Sequence, residues 1–272
     1  MADPSNQPFG SEFLPVDLER VVAESLVNDI DYHLELDSTN DRSLQLARQK
    51  GNQLNTTLVL AARQTVGRGR GENRWWSNAG ALTFSLLMPN GSLSLPSVSL
   101  PQTSLLAALA VGNAIENSIR AEAAQLKWPN DVYLRGRKVC GILVEAISGS
   151  NGALVVGIGL NVNNSISDAP DELRAIATSL CDVAGGQLSS VELLITILQQ
   201  FELHLNELRE GKTQLQQQWQ ERCLLDGHTV HVDTPTGSLT GVCRGIDNYG
   251  ALLLETDLSI ERCLAGTVTQ IT

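Results

Sequence analysis

The most restrictive feature of the chain is a glycine- and arginine-rich segment held between two apolar runs. Residues 57–62 (TLVLAA) and 81–88 (ALTFSLLM) are short and rich in β-branched and large aliphatic side chains, so they read as core strands. Between them runs QTVGRGRGENRWWS, residues 64–77. Gly67, Gly69 and Gly71 let the backbone curl with its N–H groups inward, a nest that binds anions, and Arg68, Arg70 and Arg74 add forked donors for carboxylate or phosphate. The spacing is neither G-x-G-x-x-G nor G-x-x-x-x-G-K-[ST], so it marks neither a dinucleotide fold nor a P-loop. The competing readings are a plain surface loop and an RGG-like nucleic-acid tract. Two tryptophans and the flanking strands favour a loop anchored to a core.

Charge singles out the same region. The 272 residues carry a net charge of −11, yet residues 63–138 hold nine basic side chains against four acids (Glu72, Glu116, Glu122 and Asp131). That stretch is +5 and the remainder −16. An acidic chain with a basic island is poorly suited to general nucleic-acid binding and well suited to one anionic ligand. At about 150 residues per domain, the length fits one large domain, or one with a smaller companion. An apolar share of 42% and a mean hydropathy of −0.03 exclude wholesale disorder, and no apolar run is long enough to span a membrane. The five cysteines are widely spaced and form no CxxC pair, which argues against a zinc site or a disulfide framework. With no secretory signal at the N-terminus, the expected location is the cytoplasm.

The coarse pattern mixes helices and strands without strict βαβ alternation, which predicts an α+β fold. Residues 1–15 read as an exposed leader, followed by a short amphipathic helix over 16–27 and a strand over 32–36. Ser38 or Thr39 caps a helix that runs to Gln49 and stops at Gly51. Residues 99–119 form a long buried helix; 124–128, 131–134 and 138–147 form strands with a turn at 135–137; 153–162 form another strand and 189–208 a helix. After Gly227 the texture becomes that of a small all-β barrel, with strands at 228–233, 238–244, 250–255 and 260–264. The expected organisation is thus a leader (1–30), a main domain (31–225) and a barrel (226–272).

Three further segments can carry chemistry. In KWPNDVY (127–133), Lys127 sits at a strand end before a Trp-Pro turn, where its charge can stabilise a reacting oxyanion. Asp131 can orient that lysine, help hold magnesium or accept a proton; the alternative is an ordinary Asn-Asp turn. In GIGLNVN (157–163), glycines inside an apolar strand signal close approach by a ligand or another backbone, the alternative being tight strand packing, and Asn161 offers an amide. In DSTN (37–40), helix capping accounts for Ser38 or Thr39, and hydroxyls at a helix N-terminus also suit a small polar ligand. The four histidines lack metal spacing, and His204 is expected at the surface rather than as a base.

Taken together these motifs resemble the biotin–protein ligases, also called biotin–[acetyl-CoA-carboxylase] ligases. The matching stretches are DSTN, Gln64 leading into GRGR (67–70), KWPNDVYLRGRKVCGILVE (127–145), GIGLNVN, ATSL (177–180) and GIDNYGALLL (245–254), in family order from about residue 32 onward. The resemblance implies a class II synthetase-like/biotin–lipoate ligase catalytic domain followed by an SH3-like β-barrel. It also implies ATP-dependent biotinylation of a lysine on a biotin carboxyl carrier domain through biotinyl-5′-AMP, releasing pyrophosphate and then AMP. By the same resemblance Ser38, Thr39, Asn40 and Gln64 line the biotin pocket. Arg68, Gly69 and Arg70 belong to a loop closing over biotin and adenylate, with Arg70 retaining the intermediate. Lys127 bridges carboxylate and α-phosphate, Asn161 faces the nucleotide, and Asn130 and Asp131 lie on the Mg2+ side. Lipoate–protein ligases and octanoyltransferases share the catalytic fold and form the alternative. The commoner family loop reads GRGRxGRxW; here Glu72 replaces its later glycine and Asn73 the arginine after it, so Glu72 is expected to face outward and Asn73 inherits no role. About 30 residues precede DSTN, too few for a helix-turn-helix module, so no DNA binding is expected. Nor is a membrane partner, and the expected assembly is a monomer or homodimer.

Overall fold

A computed structural model describes residues 13–89, 100–119, 123–148 and 152–272. Most of the leader, Ser99, Arg120 and Glu122 fall outside the described residues. The elements of the first part are α1 (Pro15–Glu24), β1 (Asp29–Leu36), α2 (Thr39–Lys50), β2 (Thr57–Gln64), β3 (Leu82–Pro89), α3 (Leu100–Ser118), β4 (Gln125–Lys127), β5 (Asp131–Leu134), β6 (Arg137–Ile147) and β7 (Ala153–Leu160). There follow α4 (Asp171–Arg174), α5 (Leu180–Ala184), α6 (Ser190–Arg209) and α7 (Leu215–Gln220). The last part is all strand: β8 (Thr229–Thr234), β9 (Gly237–Ile246), β10 (Leu252–Glu255), β11 (Ile260–Cys263) and β12 (Thr267–Ile271).

Seven strands form one mixed sheet in the order β1-β2-β3-β7-β6-β5-β4, with β1 parallel to β2 and every other pair antiparallel. The central strand β7 is buried at all eight positions. Its continuous apolar run follows from cover on both faces. On one face lies α3, packed in turn on α6, with Leu105, Leu106 and Leu109 fully buried. On the other lies α2, whose Leu46 and Ala47 meet Val59, Leu87 and Val155. Ser38 Oγ caps α2 by accepting from the Asp41 N–H at 3.3 Å, and Gly51, at φ 52°, ends it. The hairpin from β5 to β6 turns on Arg135 and Gly136, at φ 50° and 72°. Positive φ at both positions is the two-residue turn that matches strand twist, so Arg137 already belongs to β6.

Several expectations need correction. Phe13 is not part of an exposed leader: it is buried, its ring meets Tyr32 edge-on at 6.2 Å, and its N–H donates to the Tyr32 hydroxyl. His204 is buried rather than at the surface, because Asn113 and Glu207 supply hydrogen-bonding partners for both ring nitrogens. The terminal sheet has a fifth strand, β12, which pairs with β8 to give the order β11-β10-β9-β8-β12. Its alternation is short and mostly exposed, so it carries little apolar signal.

The segment that leads into the terminal sheet is tied to β4. Leu126 N donates to Arg222 O at 2.8 Å, and Leu224 N donates to Leu126 O at 2.9 Å. Arg222 forks onto Glu116 of α3 at 2.9 and 3.1 Å and also reaches Asn113. Burial alone would raise the Glu116 carboxyl, but Arg222 and the Ala124 N–H outweigh it, so its pKa is lowered. A depressed carboxylate pKa stabilises the fold above the unfolded-state pKa, and that contribution is lost as pH falls through the folded-state value. Glu116→Gln is therefore expected to lower unfolding free energy by about 1 kcal/mol at pH 7. In urea titrations the gap to the unsubstituted protein should shrink as pH falls below the carboxylate range.

Candidate active site

A cleft of about 380 Å³ opens over the β7–β6–β5 region of the large sheet. Every site residue singled out from the sequence lines it: Ser38, Thr39, Asn40, Gln64, Arg68, Gly69, Arg70, Lys127, Asn130, Asp131 and Asn161. Trp75, Trp76, Lys138, Ile166, Leu173 and Ile176 join them, with Thr267 and Val268 from the terminal sheet. Among the described lining residues five are basic (Arg68, Arg70, Arg74, Lys127, Lys138) and only Asp131 is acidic. Five of the nine basic residues of the sequence island thus line one cleft.

The floor depends on absent side chains. A Cβ on Gly157 would sit 2.0 Å from Asn40 Oδ1, and one on Gly159 would sit 2.4 Å from the Trp75 indole. The sequence leads one to expect a ligand or another backbone at these glycines; the groups that approach are instead two side chains, the Asn40 amide and the Trp75 ring. Asn40 is held on three sides: its Oδ1 accepts from Ser85 Oγ at 2.6 Å, and its Nδ2 donates to Glu145 Oε2 at 2.8 Å and Leu143 O at 3.2 Å. Gln64 Oε1 accepts from the Thr39 N–H at 2.7 Å and the Thr39 hydroxyl at 3.1 Å. The start of α2 and the end of β2 are thereby locked into one polar wall.

The glycine–arginine segment folds back on itself. Gly69 N donates to Asn73 O at 2.8 Å, Asn73 Nδ2 to Arg70 O at 2.9 Å, and Trp75 N to Gly67 O at 2.9 Å. Asn73, given no role from the sequence, closes this turn. Glu72 is exposed, as expected. Arg68 and Arg70 differ in charge balance. Arg68 Nη2 lies 2.9 Å from Glu145 Oε1, and its Nη1 also bonds Asp41; both carboxylates raise its already high pKa. Arg70 is half-buried, donates to the main-chain carbonyl of Gly266, and makes no ion pair among the described residues. Burial lowers its pKa, with Asp131 opposing that shift through space.

Lys127 lies mostly buried with its Nζ 5.8 Å from the centre of the Tyr133 ring. Burial lowers its pKa, Asp131 opposes the shift and Lys138 adds to it. Asp131 is opposite Lys127 in strand register, yet its ion pair is with Lys138, Nζ to Oδ1 at 2.6 Å. Sequence reasoning missed Lys138, although its place after the hairpin, one strand from Asp131, was readable. Asn130 Nδ2 donates to Ile142 O at 2.7 Å, which fixes the turn after Lys127. Asn161 is buried with both ends of its amide engaged, donating to Thr178 O and accepting from Asn164. Glu145, Asp41 and Trp75 also went unassigned from the sequence, because their importance lies in contacts across long sequence separations.

Residues 34–163 match the Biotin/lipoate A/B protein ligase family, and residues 227–269 match the Biotin protein ligase C terminal domain. The chain is 35% identical over 240 residues to the bifunctional ligase/repressor BirA of Bacillus subtilis, covering 87% of this chain and 72% of the relative. The chain belongs to the biotin protein ligase family. It is also 31% identical over 266 residues to the biotin–[acetyl-CoA-carboxylase] ligase of Mycobacterium tuberculosis, covering 94% of this chain and 96% of that one. Among solved structures, the biotin protein ligase from Aquifex aeolicus in complex with biotin and ATP superimposes with a TM-score of 0.75 at 31% identity, covering 89% of this chain and 98% of that chain. The two parts of the family fold are the mixed seven-stranded sheet with its helices and the small antiparallel, SH3-like sheet domain.

The glycine floor gives a direct test. Gly159→Ala forces the Trp75 indole off the sheet and is expected to destabilise the protein by about 1–3 kcal/mol, read by urea unfolding. It should also speed tryptic cleavage after Arg74, because Trp75 is the anchor of that end of the loop.

Proposed function

We propose that this cleft carries out the family reaction, ATP-dependent biotinylation of a lysine on a biotin carboxyl carrier domain. The observation that carries the reading is the charge arrangement: five basic side chains and one acid line the cleft, and Arg70 and Lys127 have no carboxylate bonded to them among the described residues. Such a wall gathers a carboxylate and a triphosphate, and its low-dielectric surroundings strengthen each interaction as charge develops.

In the first half-reaction a carboxylate oxygen of biotin attacks the α-phosphorus of ATP. The new C–O–P linkage forms as the bond to pyrophosphate breaks, giving biotinyl-5′-AMP. Two anions must meet, so the dominant need is positive charge between them together with alignment. Lys127 supplies that charge from a fixed strand end, and Arg70 supplies donors to the phosphate side. The polar wall of Ser38, Thr39, Asn40 and Gln64 takes the biotin head group, and Trp75 covers the floor. In the second half-reaction the acceptor lysine, as free amine, attacks the acyl carbon of the mixed anhydride. AMP leaves with the electrons of the broken C–O bond, and an amide remains. Water would hydrolyse the anhydride, so the folded-back arginine loop serves by excluding it.

Magnesium fits the donor set only in partnership with ATP. Mg2+ binds through one or two carboxylates and substrate phosphates, keeping several waters. Asp131 is the one acid in the described lining, and Asn130 stands beside it. These residues would hold the ion's outer side, and the ion would neutralise charge on the phosphates. The cytoplasm is the proposed site of action, in keeping with five free thiols. A lipoate-transferring activity is disfavoured by the match of residues 227–269 to the biotin ligase C-terminal domain.

Pyrophosphate exchange into ATP tests the proposal: exchange is expected with biotin, and exchange with lipoate alone would overturn it. Lys127→Ala should slow adenylate formation by about 10²–10³-fold in single turnover, the usual scale for one preorganised charge. Arg70→Gly should release the adenylate, seen as biotin label on lysines of a bystander protein.

A further inference from the structure

One acidic residue is positioned to join the two sides of the cleft, and nothing above gives it a role in the reaction. Glu145, on β6, is three-quarters buried, with its side chain 24% exposed. Its Oε2 accepts from Asn40 Nδ2 at 2.8 Å and from Arg68 Nη1 at 3.2 Å, while its Oε1 accepts from Arg68 Nη2 at 2.9 Å. Arg68 is bound a second time, by Asp41 in the first turn of α2. The same carboxylate therefore orients the Asn40 amide over Gly157 and grips the arginine loop through a planar, two-point fork.

We propose that Glu145, assisted by Asp41, is a positioning residue that latches the arginine loop to the Asn40 wall of the biotin pocket. The inference rests on the biotin reading of the site. Three features of the geometry support it. Arg68 is neutralised by two carboxylates, so its charge is spent on holding the loop, whereas that of Arg70 remains available to an anion. Asn40 cannot rotate away from Glu145 without breaking its bond from Ser85 Oγ at 2.6 Å. Arg68 also opens the loop hairpin, where it bridges to Arg74, so fixing Arg68 fixes the register of Gly69 and Arg70 behind it. A lysine at position 68 could not keep this fork, because an ammonium offers no planar pair of donors.

Glu145→Gln keeps an acceptor for Asn40 and removes the ion pair to Arg68. It is expected to raise the KM for biotin in pyrophosphate exchange by about tenfold, the scale of one charge-assisted hydrogen bond, while kcat stays within about twofold. Tryptic cleavage after Arg68, Arg70 and Arg74, followed by mass spectrometry, should accelerate in the absence of any ligand. In an Arg68→Ala background the Glu145→Gln substitution should add nothing further to either readout. Should Glu145→Gln fail to fold, Asp41→Asn tests the same latch from the solvent side and should shift both readouts the same way by a smaller factor. Unchanged KM and unchanged loop cleavage in folded Glu145→Gln, or equal losses with and without Arg68, would overturn the latch. If the unsubstituted protein performs no biotin-dependent exchange, the biotin reading falls, and the ligand-free cleavage comparison still decides whether Glu145 holds the loop.

Discussion

Asn40 Oδ1 stands where a methyl group on Gly157 would have to be, and the Trp75 indole stands where one on Gly159 would be. The rest of the site depends on this exclusion. The sheet is covered by helices on both faces, so a polar ligand can reach its centre only where the strand surface is lowered. Two glycines on β7 lower it, and Gly141 on the neighbouring β6 lies under the outer edge of the same indole. Neighbouring positions on β7 are large aliphatic residues that keep the sheet closed. The cleft is thus carved into the strongest part of the core instead of being added at its rim, and its floor inherits the rigidity of that core.

Charge is then distributed over this floor by unequal neutralisation. Arg68 meets two carboxylates, Lys138 meets Asp131, and Arg70 and Lys127 meet none at bonding distance among the described residues. The neutralised pair has structural duties, with Arg68 on the loop and Lys138 on the hairpin. The uncompensated pair lines the same cleft, where the meeting of two anions needs positive charge. Burial makes both of them readier to accept an anion, since each loses hydration that only a counter-charge can replace.

Much of this was legible in the sequence. The strands flanking the arginine segment, the capping of α2 by Ser38, the hairpin at Arg135-Gly136 and the change of texture after Gly227 follow from local rules, and local rules operate over a few residues. The basic island pointed to the cleft because its arginines and lysines outnumber acids in sequence, and five of them line the cleft against the single acid Asp131. What was not legible required distant partners. Asp131 reads as the natural companion of Lys127, four residues away and opposite it in register, yet its carboxylate pairs with the Lys138 side chain from the neighbouring strand β6. His204 looks like a surface residue on a helix until Asn113 of another helix supplies its partner. Glu145 ends a recognisable motif, but its meaning comes from Asn40 and Arg68, which are more than 70 residues away. Strand β12 escaped because four of its five residues are exposed and its pairing with β8 joins the first and last strands of the terminal sheet in sequence.

The terminal sheet contributes to the site in a way that composition alone could not show. It offers two glycine carbonyls: Gly250 O accepts from the Trp128 indole at 3.1 Å, and Gly266 O accepts from Arg70. Trp128 adjoins Lys127, so each carbonyl steadies one of the two uncompensated cations or its immediate neighbour. A main-chain carbonyl suits this purpose because it fixes a donor without cancelling its charge. Had the chain placed an aspartate opposite Arg70, the guanidinium would be better paired and less available to phosphate. The small domain thus lets the cleft keep its positive charge in a defined position, and a neutral acceptor is the only kind of partner that permits both.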